Sequence, residues 1–131
     1  MKDLISVIIP NRKGEKNESL PSLKKQTYKN LQIIEVIDKD EKGASWARNE
    51  GAKKAKGKYI FFCDNDLDLD KNCLKNLWET LQKNPKADWA FGKLVIDEIV
   101  LNEGKKPCKP GMEDEEIIKY FYGVSTMSLI R

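Results

Sequence analysis

Three short apolar runs, each ending in a polar cluster, constrain this chain more than any other feature of its sequence. Residues 4–9 read LISVII and lead into Pro10-Asn11-Arg12. Residues 31–37 (LQIIEVI) lead into Asp38-Lys39-Asp40, and residues 59–63 (YIFFC) into Asp64-Asn65-Asp66. Runs of this length, rich in β-branched and aromatic residues, suit buried strands of a parallel sheet. Helical segments are expected between them. One covers residues 19–26, with Ser19 as N-cap and Pro21 in the first turn, where proline is tolerated. Another covers residues 44–55, with Gly57 beyond it as a stop. After the third run, Leu74, Leu77, Trp78 and Leu81 recur at the spacing of an amphipathic helix, capped by Asp70 and ended by Asn84-Pro85. Residues 89–92, 94–101 and 124–130 read as further strands, 102–111 as a turn-rich link and 113–122 as a helix. Strands alternating with helices predict an α/β fold, a mostly parallel Rossmann-like sheet with helices on both faces. A chain of 131 residues fits one domain, 1–131.

Composition narrows the chemistry. The chain has no His, so its proton acceptors must come from carboxylate, Lys, Tyr or Cys, and any metal must be a hard cation held by oxygens. Lys and Arg number 24 against 21 Asp and Glu, interspersed and without the basic block of a nucleic-acid arm, so no nucleic-acid partner is expected. Three Cys, at 63, 73 and 108, form no C-x-x-C pair and imply no disulfide framework or zinc site. The N-terminus lacks the apolar core of a signal peptide, and no stretch approaches the length of a membrane span. A cytoplasmic protein with reduced thiols is expected, in solution or at the inner face of the membrane.

In an open α/β sheet, ligands bind beyond the carboxyl ends of the strands, where the three polar clusters fall. Asp64 and Asp66 project two carboxylates close together, an arrangement that a divalent cation relieves. Mg²⁺ or Mn²⁺ held by few carboxylates, its shell completed by phosphate oxygens and water, is one reading. A solvated acidic turn is the other. Asp38 reads either as loop charge or as an acceptor for a base or sugar, and Arg48 either as surface charge or as a diphosphate contact or brace for the acidic turn. Cys63 and the run Tyr59, Phe61 and Phe62 read as core.

Four stretches together resemble family-two glycosyltransferases of the GT-A fold. They are Ile5-Ser6-Val7-Ile8-Ile9-Pro10; residues 22–34, SLKKQTYKNLQII; residues 43–52, GASWARNEGA; and residues 55–66, AKGKYIFFCDND, which matches the strand that delivers the family's D-x-D motif. The likeness covers roughly residues 4–92. It implies a nucleoside-diphosphate-sugar donor of the UDP or GDP type, Mn²⁺ or Mg²⁺ as cofactor, an inverting transfer, and a glycan, lipid or protein acceptor. Residues 1–101 become the donor-binding core and 102–131 the start of the acceptor side. By the same resemblance Asp66 ligates the metal, Asp64 contacts the donor ribose or the metal's water shell, Asp38 accepts from the base, Pro10 and Asn11 line the base pocket, and Arg48 lies near the diphosphate.

The sequence departs from the family pattern in places. One Asp follows the second strand where the family pairs two, and only residues 39–42 separate it from the Ala-Arg-Asn helix, where the family inserts another α/β unit. Leu67 stands where a third acidic residue is frequent. The acidic motif that supplies the family's general base follows a strand resembling residues 124–131, so the chain is expected to be a shortened member lacking the acceptor region. The catalytic base is unassigned; Asp97 and Glu98 are substitutes to weigh against surface charge. Two other functions compete: a donor-binding module without turnover, and a Mg²⁺-dependent nucleotidyltransferase, whose usual Gly-rich loop after the first strand is reduced here to Gly14.

Overall fold

A computed structural model describes residues 2–92, 95–96, 99–100 and 128–130. The chain runs β1 (Ile5–Arg12), α1 (Leu20–Lys24), β2 (Leu31–Asp38), α2 (Ala44–Lys54), β3 (Tyr59–Phe62), α3 (Cys73–Lys83), β4 (Trp89–Phe91), β5 (Val95–Ile96), β6 (Ile99–Val100) and β7 (Ser128–Ile130). Five strands form one sheet in the order β2-β1-β3-β7-β4. β1 pairs in parallel with both β2 and β3, while β7 runs antiparallel to β3 and β4. The fold is therefore the expected mixed α/β one, parallel at its centre.

β1 is the axis of the sheet. Ile5, Val7, Ile8 and Ile9 have no exposed surface, as a central strand covered on both faces requires. The odd-numbered side chains join Leu23, Phe61, Leu74 and Leu81 in the core under α1 and α3. Ile8 faces the other way, towards α2, whose Gly51 packs so closely that a Cβ there would strike the Ile8 side chain. The crossovers β1–α1–β2 and β2–α2–β3 step across the sheet in opposite directions, so right-handed connections put their helices on opposite faces.

β1 was expected to stop at Pro10, yet it pairs with β2 through Arg12. Ile5 N–H bonds towards β2 and the Ile8 carbonyl towards β3, so Pro10 presents its missing donor on the β3 side. β3 pairs no farther than Ile8, and the absent N–H costs nothing.

β2 differs more. It was expected to be buried but is an edge strand with alternating exposure: Val36 and Asp38 turn inward, while Ile33 and Ile37 are 39% and 46% exposed. Trp46 is half-buried, with the Lys42 ammonium over its ring at 5.0 Å; Ala47 and Gly51 are the residues of α2 that face the sheet. The expected strand at 94–101 is instead two short strands, β5 and β6, paired antiparallel. The charged pair Asp97-Glu98 divides that apolar run in the sequence. The expected link at 102–111 and helix at 113–122 lie outside the described residues.

α1 is shorter than residues 19–26. Gln26, fully buried, lies just past its end. Its Nε2 donates to the carbonyls of Ser22 (3.2 Å) and Asp70 (2.8 Å), and its Oε1 accepts from Leu74 N–H (3.1 Å) in the first turn of α3. One amide thus closes the end of one helix and the start of another. Asp70 contributes to the same start by accepting from Asn72 N–H (2.8 Å), one residue before α3.

Candidate functional site

The carboxyl ends of β1, β2 and β3 and the first turns of α2 enclose a cavity of about 330 Å³. Pro10, Asn11, Asp38, Arg48, Asp64 and Asp66 all line it. The residues singled out from sequence therefore converge, although they come from four separate stretches. Glu15 and Asn65 line it too. Nothing in the sequence marks Glu15, since its proximity to residue 65 is a property of the fold.

Asp38 ends β2 and is 7% exposed. Its carboxylate accepts from Lys42 N–H (2.9 Å) and Gly43 N–H (2.7 Å), and the Lys42 amide is the main cause of a pKa held below the ordinary value. Asp38 thereby pins the short turn that carries the chain from β2 straight into α2. Gly43, the N-cap of α2, has φ = 100°, a conformation that favours glycine. The direct β2-to-α2 passage needs this pair of devices.

Arg48 lies one turn into α2. Its Nη2 donates to Asp64 Oδ1 at 3.2 Å, and its Nε is buried without a partner among the described residues. Burial raises the Asp64 pKa, Arg48 opposes the rise, and the like charge of Asp66 adds to it. Asp66 itself is exposed and takes part in no hydrogen bond or ion pair among the described residues. Asp68 is also exposed, as a surface residue should be.

Asn11 is 5% exposed and its amide is committed to neighbours. Nδ2 donates to the Glu15 carbonyl (3.1 Å) and to Glu35 Oε1 (3.2 Å), and Oδ1 accepts from Arg12 N–H (3.0 Å) and Asn65 Nδ2 (2.7 Å). Asn11 is thus a wall of the cavity whose side chain also braces it. Cys63, fully buried, has its thiol pushed up to about 12 by desolvation, as befits a core residue.

The oxygens of Asp64 and Asp66 are hard donors, and the elevated Asp64 pKa marks a place where one more positive charge is stabilising. This donor set fits Mg²⁺ or Mn²⁺. Among the described residues no three potential ligands converge, so the protein would supply only part of a coordination shell. No helix among the described residues is long and apolar enough to cross a membrane.

Comparison with known proteins finds glycosyltransferases. The poly(ribitol-phosphate) beta-N-acetylglucosaminyltransferase TarP of Staphylococcus aureus is 27% identical, over 95% of this chain and 38% of its own length. An uncharacterized glycosyltransferase of Haemophilus influenzae is 28% identical over 87% of this chain and 46% of its own length. The glycosyltransferase GlyG of Streptococcus pneumoniae is 29% identical over 70% of this chain and 39% of its own length. The chain thus spans less than half the length of each of these relatives. The model of glycosyl transferase family 2 matches residues 26–121, from the buried Gln26 across α2 and the acidic turn, and by that match the chain belongs to this family of glycosyltransferases.

Proposed function

We propose that the cavity binds a nucleoside-diphosphate sugar of the UDP or GDP type together with Mn²⁺ or Mg²⁺, as the donor half of an inverting sugar transfer to a hydroxyl acceptor. One observation carries the reading: two neighbouring carboxylates, one with a raised pKa and one without a partner among the described residues, share a cavity with an arginine. Family membership supports a nucleotide-sugar donor and an acceptor.

In this reading Asp66, with Asp64, holds the cation. When bound, the cation neutralises charge on the leaving diphosphate. Arg48 favours the ionised form of Asp64 and presents its remaining N–H groups to diphosphate oxygens, the fork geometry that suits phosphate. Asp38, anchored by two backbone amides, offers its unused lone pairs to N–H donors of the base. Pro10 and Asn11 form the adjoining wall. The bond from the anomeric carbon to the diphosphate oxygen breaks, the acceptor oxygen bonds that carbon from the opposite face, and a carboxylate takes the acceptor proton. The candidates Asp97 and Glu98 for that base lie outside the described residues, as does the acidic run Glu113-Asp114-Glu115-Glu116.

Calorimetric titration of UDP, then GDP, with and without Mn²⁺, tests the reading on wild type and Asp66→Ala. The expected result is metal-dependent binding of one nucleotide that the variant loses. Folded wild type that binds neither would overturn it.

A further inference from the structure

The middle residue of the acidic turn makes more hydrogen bonds than either of its neighbours. Asn65 Nδ2 donates to Asn11 Oδ1 (2.7 Å) and Glu15 Oε2 (3.0 Å), and its carbonyl accepts from the N–H groups of Glu18 (2.7 Å) and Ser19 (3.1 Å). Among the described residues the Asp64 side chain bonds Arg48 alone, and Asp66 bonds nothing. Asn11, the receiver of the shortest side-chain bond, is itself tied to Glu35 in β2. An unbroken path of polar contacts therefore runs from the β2 edge through the end of β1 to the turn.

The geometry points to Asn65 as the positioning residue of the cation site, an inference that rests on the proposed reading of Asp64 and Asp66. Two like charges flanking one residue repel each other and favour opening of the turn when no cation lies between them. Four bonds to residue 65 hold the turn against that repulsion, so both carboxylates meet an arriving cation already in place. The amide is chemically specific here. Its two N–H groups meet two oxygen acceptors, which an Asp could not satisfy, and an Ala or Ser is too short to reach both. The site keeps its cation-binding geometry ready before the ligand arrives.

The test compares Asn65→Ala with Tyr59→Phe, which loses one hydrogen bond (from Gln82, 2.7 Å) at the opposite end of β3. UDP and GDP are titrated with and without Mn²⁺, alongside the melting temperature of each protein. Asn65→Ala is expected to weaken Mn²⁺-dependent binding about tenfold and metal-free nucleotide binding by less than that. Tyr59→Phe should change neither. If Asn65→Ala folds poorly, Glu15→Ala removes one of the two acceptors from outside the turn and should weaken the metal-dependent binding about threefold. Equal weakening with and without Mn²⁺, or none in either variant, overturns the positioning role. Wild type with no metal-dependent binding overturns the reading of the site as well, which separates the two failures.

Discussion

The two ends of the central sheet carry similar polar residues and use them in opposite ways. At the amino ends of the strands, polar groups satisfy one another. Ser6 Oγ accepts from Gly57 N–H (2.8 Å) and donates to Gln32 Oε1 (2.7 Å), which also takes Lys56 N–H (2.9 Å). Tyr28 donates its hydroxyl to the Asp3 carbonyl, Trp78 Nε1 donates to the Asp3 carboxylate (3.2 Å), and Lys58 pairs with the same group (3.5 Å). At the carboxyl ends Asn11, Asp38 and Asn65 are bonded in the same way, but the charged groups beside them are not. Asp64 is partly desolvated beside a like charge, and among the described residues the buried Arg48 Nε and the Asp66 carboxylate have no partner. One end is built for stability. The other holds groups whose partners are expected to arrive with a ligand, at some cost to the fold.

The contrast can be broken or sharpened by substitution, starting with the amino end. A Cβ at position 57 would lie 2.7 Å from the Leu4 carbonyl oxygen and the Ser6 nitrogen, both backbone atoms. Gly57→Ala is expected to cost about 3 kcal/mol in thermal or urea unfolding, with nucleotide affinity of the folded protein unchanged. Arg48→Met comes next, at about 1.5 kcal/mol near neutral pH, less than a fully buried pair because both groups keep about a third of their exposure. Without the guanidinium the Asp64 pKa rises further. A raised carboxyl pKa favours the folded state only while the group is protonated, so the deficit should shrink as pH falls through that raised value. Tyr59→Phe should cost about 1 kcal/mol and leave binding intact. Asp38→Asn should have the smallest effect, seen in pH dependence. The folded Asp38 pKa is depressed, so its contribution is present above the ordinary value of 3.8 and is lost as pH falls through the lower folded value. The variant's unfolding midpoint should fall less steeply below pH 4 than that of wild type.

The legible parts of this molecule were those written in local pattern. The apolarity of residues 5–9, broken only by Ser6, identified a buried strand, and the leucine spacing of α3 gave its buried face. The polar clusters were recognisable because strand ends are where a parallel sheet collects ligands, and all three line one cavity. What escaped was non-local. An apolar run does not say whether its strand lies at the centre or the edge, and only the outward Glu35 hinted that β2 was half-exposed. The contacts of Asn65 with Asn11 and Glu15 span 54 and 50 positions in the chain and left no trace in its pattern. Asp38 carried a meaning that its residue type could not reveal, since it folds the turn that joins β2 directly to α2.

Thermal unfolding of wild type and Asp66→Asn, each alone and with Mn²⁺ plus UDP or GDP, tests the contrast most directly. The account predicts that Asp66→Asn alone is as stable as wild type or up to about 0.5 kcal/mol more so, because a like charge is removed and no bond among the described residues is lost. It also predicts that only wild type is stabilised by Mn²⁺ with the nucleotide. A variant that is less stable alone, or that gains as much from the ligands as wild type does, would contradict it.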